Sequence, residues 1–249
     1  GADGAHPGVL SGGFEVQDLV FRYGPDLPAV LENVSFAIAP GEHVAIVGPS
    51  GCGKTTLMRI LLGLEEPESG VITVDGRDLA SLNRPAVRRQ IGSVLQSSTL
   101  LPCTIKENID MSRSMTHDEV WEALEAAAVA DDVRDMAMGI DTPVTDGGGT
   151  VSGGQRQRVL IARALAGNPR MLILDEATSA LDNLTQAAVV EALGNLRITR
   201  VVVARRLSTI RQADRIIVMA DGRVVDQGTY DELVARPGAF RELAIRQQV

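Results

Sequence analysis

His43-Val-Ala-Ile-Val47 runs straight into Gly48-Pro-Ser-Gly-Cys-Gly53-Lys54-Thr55, and that into Thr56-Leu-Met-Arg-Ile-Leu-Leu62. The first piece is short and apolar after His43, as a strand buried on both faces of a parallel sheet would be. The last piece predicts a helix from Gly53 to Leu62, ending near Gly63. The residues between them fit the pattern G-x-x-x-x-G-K-[ST]. Its glycines let consecutive backbone N–H groups curl around an anion, and the helix N-terminus adds partial positive charge. Lys54 is placed to reach the outer phosphates of a nucleotide, the Thr55 hydroxyl to ligate Mg²⁺, and Thr56 to touch the α-phosphate. A glycine-rich turn alone can be a mere connection. A strand on one side and a helix on the other set this one apart.

A partner motif follows downstream. Met171-Leu-Ile-Leu-Asp175-Glu176 is an apolar strand ending in two carboxylates, at the edge where parallel sheets place their ligands. Asp175 suits a magnesium ion, held through water. Glu176 suits the orientation or deprotonation of an attacking water. Read alone, the Asp-Glu pair could equally cap a helix. Together with the phosphate loop it indicates a magnesium-dependent nucleoside triphosphatase.

Working outward, further strands are expected at Phe14–Phe21, Val34–Ile38, Ile91–Leu95, Met171–Leu174, Arg200–Ala204 and Arg215–Met219. Helical patterns occupy Asp118–Ala130, Gly153–Ala166 and Asn183–Leu196. The alternation argues for an α/β domain with a mostly parallel sheet. Residues 104–165 read as a helical insertion, and the glycine-rich residues 1–13 as a flexible linker before a domain spanning 14–249. The 249 residues carry 24 basic and 32 acidic side chains, a net charge of −8, which speaks against a nucleic-acid partner. No apolar run is long enough to cross a bilayer. Two cysteines, Cys52 and Cys103, imply no disulfide framework. Nearly all the basic residues are arginine; Lys54 and Lys106 are the only lysines.

Val151-Ser152-Gly153-Gly154-Gln155 opens another helix with a second Ser-Gly-Gly anion turn. One nucleotide needs one phosphate cradle, so a second cradle far along the chain fits best if it serves another chain's nucleotide. Here the sequence resembles the ATP-binding cassette (ABC) ATPases from about Phe14 to Gln247. The resemblance implies a P-loop NTPase core with an antiparallel β subdomain and an inserted α-helical subdomain. It implies ATP held by Gly48, Pro49, Ser50, Gly51, Cys52, Gly53, Lys54, Thr55 and Thr56, with Tyr23 stacked on adenine. Thr55, Gln96 and Asp175 would hold Mg²⁺, and Glu176 and Gln96 would serve catalysis. Ser152, Gly153, Gly154, Gln155 and Asp182 would meet the nucleotide of a second nucleotide-binding domain. Read without the family, Tyr23 could equally be a strand-end tyrosine, and Gln96 a solvated glutamine.

Leu101-Pro-Cys-Thr-Ile-Lys-Glu-Asn-Ile109 and Arg206-Leu-Ser-Thr209 resemble the exporter branch. Val144-Thr-Asp-Gly-Gly-Gly149 and Ala180-Leu-Asp-Asn-Leu-Thr-Gln186 are similar to bacterial bacteriocin or peptide exporters, with Asp146 where exporters carry a glutamate that senses the membrane domain. The expected partners are therefore a second nucleotide-binding domain and a transmembrane domain, with this domain on the cytoplasmic face of the membrane. The chain would then be the C-terminal part of a longer polypeptide, or a separate subunit. One position departs from the family: Arg205 stands where most relatives carry a γ-phosphate-sensing histidine. Its planar fork can still grip phosphate. It can also pair with Glu176 and lower its basicity. The expectation is retained ATP binding with weakened hydrolysis; a non-hydrolysing regulatory cassette is the main alternative. A soluble ABC ATPase acting on DNA or ribosomes is a lesser one, since no coiled-coil insertion, second cassette or basic surface is evident.

Overall fold

A computed structural model describes residues 3–145, 149–176 and 178–247. In chain order the strands are β1 (Phe14–Phe21), β2 (Leu31–Ile38), β3 (His43–Val47), β4 (Ser69–Val74), β5 (Arg77–Asp78), β6 (Ile91–Val94), β7 (Met171–Asp175), β8 (Thr199–Val203), β9 (Arg215–Ala220) and β10 (Arg223–Gly228). The α-helices are α1 (Lys54–Leu61), α2 (Arg84–Arg88), α3 (Ile105–Asp110), α4 (His117–Ala126), α5 (Ala130–Arg134), α6 (Gly153–Leu165), α7 (Asn183–Gly194), α8 (Leu207–Arg211), α9 (Tyr230–Val234) and α10 (Ala239–Gln247). The chain forms two compact units. One comprises Gly1–Ile91, Arg170–Asp175 and Ile198–Val249, and the other Gly92–Pro169 and Glu176–Arg197. The second unit is wider than the helical insertion expected at 104–165, because α7 belongs to it.

In the first unit β3 pairs in parallel with both β8 and β9, and β7 pairs in parallel with β8. Every residue of β3, β7 and β8 is buried, as their apolar runs require. β10 adds an antiparallel edge to β9. A separate antiparallel sheet has the order β2-β1-β4-β5. In β1 the buried positions pass from Phe14 and Val16 to Leu19 and Phe21, an even-to-odd slip. A register shift between Val16 and Leu19, with Asp18 at φ 49°, produces that slip.

Two expectations need correction. The glycine-rich start is not a loose tether from Ala5 onward, because its backbone finds side-chain partners. Asp75 accepts from the N–H groups of Ser11, Gly12 and Gly13 at 2.6, 3.1 and 2.8 Å. Gln90 accepts from Leu10 N–H and donates to Gly8 O, while Thr199 Oγ1 donates to Gly12 O. Leu10 is buried beneath this strap. The helix expected over Asp118–Ala130 stops at Ala126, because Ala128 turns left-handed at φ 57°. The break frees the Ala128 carbonyl to accept from Arg158 Nη1 at 2.8 Å.

The second unit packs α3 and α4 against α6, whose Val159 and Ile161 are wholly buried, and α7 against α4. Thr104, Thr116 and Ser152 each close a reciprocal capping box, so α3, α4 and α6 start where their sequences say they should. Among the described residues no helix is long and apolar enough to cross a membrane.

Candidate active site

The phosphate loop lies between β3 and α1, as its sequence demands. At Gly48 a Cβ would stand 2.3 Å from the Met219 carbonyl oxygen of β9, so a side chain there is excluded. Gly53 takes φ 98° and turns the chain into α1; a Cβ there would meet Leu31 at 2.7 Å. Gly222 N–H donates to Cys52 O, tying the β9–β10 turn to the loop. The Cys52 thiol is buried, and burial pushes its pKa up, which keeps it a protonated, unreactive filler.

Six candidate side chains meet in three pairs within this unit. Thr55 Oγ1 donates to Asp175 Oδ2 at 2.8 Å, joining the start of α1 to the end of β7. Tyr23 Oη and Thr56 Oγ1 are 2.8 Å apart, and the Tyr23 ring stands edge-on to Phe21 with centroids 4.8 Å apart. The ring is held at one edge although Tyr23 is 54% exposed, so its position beside α1 is set while contact surface remains. Lys54 is 6% exposed, and its ammonium donates to the Gly48 carbonyl, folded over the loop that it would share with a phosphate. Arg205, just past β8, donates from Nη2 to Ser50 Oγ at 3.2 Å. Pro49 and Gly51 complete the loop without side-chain bonds of note.

The second unit carries the other candidates. Ser152 Oγ accepts from Gln155 N–H at 3.1 Å, and Gln155 Oε1 accepts from Ser152 N–H at 3.0 Å. The Gln155 amide also donates to Asp132 at 3.2 Å, so this side chain is engaged as structure at both ends. Gly153 and Gly154 form the first turn of α6. Asp182 caps α7 by accepting from Thr185 N–H at 2.7 Å, a bond that lowers its carboxyl pKa. Glu176 takes φ 54°, a left-handed geometry that costs a non-glycine residue about 1–3 kcal/mol and recurs at functional sites. Gln96 is exposed in the turn after β6, and Asp146 lies outside the described residues.

Sequence reading missed three supporting residues. Arg158 is 7% exposed and bonds Asp132 twice, at 2.9 and 3.2 Å. That bond is the main cause of the lowered Asp132 pKa. Gln157 donates to Ser179 Oγ at 3.0 Å and accepts from Ala180 N–H at 2.8 Å, clasping the turn before Asp182. The only sequence signal was a polar run, Gln155-Arg-Gln-Arg158, at the start of an otherwise apolar helix.

Thr55 and Asp175 fit magnesium. Both offer hard oxygen atoms, they already touch, and Asp175 is 2% exposed. Mg²⁺ typically takes one or two carboxylates and fills its octahedron with phosphate and water. Such a site needs no cage of protein ligands, and none is present among the described residues.

A family model described as ABC transporter matches residues 31–179. The β-(1→2)-glucan export ATP-binding/permease protein NdvA of Rhizobium etli is 44% identical over 237 residues, covering 94% of this chain and 40% of that protein. The leukotoxin translocation ATP-binding protein LktB of a Pasteurella haemolytica-like species is 44% identical over 228 residues, covering 90% of this chain and 32% of its own length. A fatty acid ABC transporter ATP-binding/permease protein of Mycobacterium bovis is 43% identical over 94% of this chain and 37% of its length. The chain thus spans about two fifths or less of the curated relatives it matches. Among solved structures, a bacterial Atm1-family ABC exporter with ATP bound superposes with a TM-score of 0.95 at 38% identity, over 99% of this chain and 44% of that one.

Proposed function

The chain belongs to the ABC transporter family, and we propose that it is the ATP-binding and ATP-hydrolysing motor of an exporter, acting at the cytoplasmic face of a membrane. The observation that carries this reading is the Thr55–Asp175 contact at the mouth of a phosphate loop whose Gly48 and Gly53 leave no room for a side chain. Lys54 and the loop N–H groups of residues 49–53 hold the phosphates, and Tyr23 supports the base. Thr55, Asp175 and Gln96 hold magnesium, which when bound neutralises phosphate charge and orients the transferred group. Glu176 orients and deprotonates the attacking water.

Ser152 and Gly154 of a second copy, or of a related domain, close over the γ-phosphate with the helix dipole of α6 behind them. Asp182 and its turn lie against the same partner. Closure around two nucleotides and reopening after hydrolysis drive the membrane segments, which belong to the part of the transporter outside this chain. The relatives named above are associated with a glucan, a leukotoxin and a fatty acid at near-equal identity. The sequence motifs suggest a peptide cargo, and the spread among these relatives does not favour it. None of those relatives points to a soluble ATPase of nucleic acids or ribosomes.

The test is phosphate release from MgATP at rising protein concentration, with Glu176→Gln as companion. Turnover should rise faster than linearly, and Glu176→Gln should form an ATP-dependent dimer by light scattering. A monomer that stays monomeric with ATP bound would refute the paired mechanism.

A second reading has its own observation. The Arg205–Ser50 bond places a permanent cation on the phosphate loop where relatives use a titratable, hydrogen-bond-accepting ring. We read this as a brake: nucleotide binding is kept and hydrolysis is slowed, in the limit of a regulatory cassette. Arg205→His should raise turnover without changing ATP affinity much; equal turnover of both forms would remove the brake.

A further inference from the structure

Beyond Arg205 the chain runs straight into α8, and α8 ends against the C-terminal helices of the same unit. Only five residues, Leu207–Arg211, make up α8, and Arg206 before it gives no side-chain cap. A helix of little more than one turn has scant stability of its own and takes its position from what it touches. Ile210 anchors one face by being wholly buried. The last residue, exposed Arg211, reaches elsewhere. Its guanidinium lies 5.1 Å from the centroid of the Tyr230 ring, and its Nη2 donates to Tyr230 Oη at 3.2 Å.

Tyr230 is a firm abutment. It opens α9, which Thr229 caps by accepting from Glu232 N–H at 3.2 Å. Its ring stands edge-on to Phe240 of α10 with centroids 5.7 Å apart, and Phe240 is 1% exposed. Leu233 of α9 is buried, and Arg236 just past α9 donates from Nε and Nη2 to Asp226 of β10 at 3.3 and 2.5 Å. The C-terminal helices are thus fastened to the sheet before they meet α8.

An exposed arginine has many places to lie. A ring that takes its charge and a hydroxyl that takes its N–H restrict it to one. On the N-terminal side of α8, Arg205 holds Ser50 of the phosphate loop at 3.2 Å. One short helix therefore joins the phosphate loop to the C-terminal helices, with an arginine contact on either side of it.

We propose that Tyr230 is a positioning residue for ATP hydrolysis: through Arg211 and α8 it keeps Arg205 on the phosphate loop, so that the C-terminal helices set how firmly the brake is applied. This rests on the brake reading of Arg205 above. Tyr230 itself is assigned no contact with phosphate, base or magnesium. Loosening α8 lets Arg205 leave Ser50 more of the time, which speeds hydrolysis and leaves ATP affinity nearly as it was.

The experiment measures kcat and KM for MgATP in the complete transporter with Tyr230→Leu, Tyr230→Phe and Arg211→Gln, each made with Arg205 and with Arg205→His. Tyr230→Leu and Arg211→Gln should raise kcat about threefold at unchanged KM, the scale on which one exposed cation–π contact shifts an equilibrium. Tyr230→Phe keeps the ring and should stay within about twofold of wild type. With Arg205→His all three should have no effect, because the residue they act through is gone. A contact that merely stabilises the fold would act equally in both backgrounds. Hydrogen exchange in the same proteins should show the amides of residues 207–211 opening sooner in Tyr230→Leu, with β10 and α9 unchanged. The proposal falls if Tyr230→Leu and Arg211→Gln leave kcat unchanged or lower it, if Tyr230→Phe acts as strongly as Tyr230→Leu, or if the effects persist with Arg205→His. Should Tyr230→Leu open β10 or α9 as well, Arg211→Gln decides alone, since that side chain is exposed. If Arg205→His by itself fails to raise kcat, the brake reading falls and takes this proposal with it. If Arg205→His raises kcat and the changes at Tyr230 and Arg211 do not, only this proposal falls.

Discussion

Lowering the pH from about 7.5 to about 5 should weaken the first unit through one side chain, His43. The ring begins β3, is 6% exposed, and has Nδ1 3.1 Å from Arg200 Nη2, itself on a residue 8% exposed. Burial is the main cause of a pKa lowered from 6.5 to about 4, and the Arg200 charge adds to it; the Asp214 carboxylate opposes them without prevailing. Because the folded pKa lies below the unfolded one, the unfolded chain binds the extra proton first. Stability is therefore fully present above about pH 6.5 and is lost as the pH falls toward 4. At about 1.4 kcal/mol per unit of pKa, the whole interval is worth about 3 kcal/mol, and roughly 2 kcal/mol is gone by pH 5.

Urea unfolding of the wild type and of His43→Gln at several pH values between 7.5 and 5 measures this directly. Glutamine keeps an acceptor for Arg200 and does not titrate, so the difference between the two proteins isolates the ring. Asp132, Asp182 and Asp226 have carboxyl groups held below their usual value of 3.8, so their losses begin only at more acid pH. The wild type should lose about 2 kcal/mol more than the variant over this range. Parallel pH dependences in the two proteins would refute the reasoning, because they would mean that the ring titrates alike folded and unfolded.

Three further outcomes follow from geometry. Gly48→Ala forces a methyl group against the Met219 carbonyl and should cost about 1–3 kcal/mol while abolishing ATP binding, read by a fluorescent ATP analogue and by melting. Asp75→Asn keeps a side chain that tolerates the left-handed backbone at φ 51° but removes the charge that accepts from three N–H groups. It should cost about 1 kcal/mol and expose residues 5–13 to limited proteolysis. Ser152→Ala opens the capping box of α6 and should cost about 1 kcal/mol in urea unfolding, with a larger loss of turnover than of nucleotide affinity.

Strands made of continuous apolar runs were legible to within a residue or two, because nothing else explains five buried residues between turn signals. His43–Val47 agrees at both ends, and Met171–Asp175 differs by one residue. The strand–loop–helix layout around Gly48–Lys54 and the helix start at Ser152 were legible for a related reason: the motifs fix both residue type and spacing. What failed was local composition judged without its partners. Gly8, Gly12 and Gly13 read as slack, yet Asp75 and Gln90, both far along the chain, organise the backbone around them. Ala127 and Ala128 read as strong helix formers, yet the helix ends there and the Ala128 carbonyl turns to Arg158. Propensity yields to a tertiary hydrogen bond of that kind, and a sequence shows the arginine without showing where it points.

The same partners bear on how the proposed motor works. The loop at Gly48 is braced by Met219 and Gly222, and the turn at Ser152 by Gln155 with Arg158 and Asp132 behind it. Each backbone proposed to bind phosphate is thus already shaped by contacts inside its own unit. A nucleotide that meets such surfaces spends little binding free energy on ordering them. Under the proposed mechanism, more of that energy is then left for drawing two copies together, and closure is the step a transporter must drive. If so, loosening either brace should reduce ATP-driven pairing more than it reduces ATP binding by a single chain. Arg158→Met is the sharper test, since Arg158 is itself no proposed nucleotide contact and acts only behind one, its Nε donating to the Gly154 carbonyl at 3.3 Å. Its ATP affinity as a monomer should stay near wild type while pairing in the Glu176→Gln background weakens. Equal loss of both would mean that the brace serves folding alone.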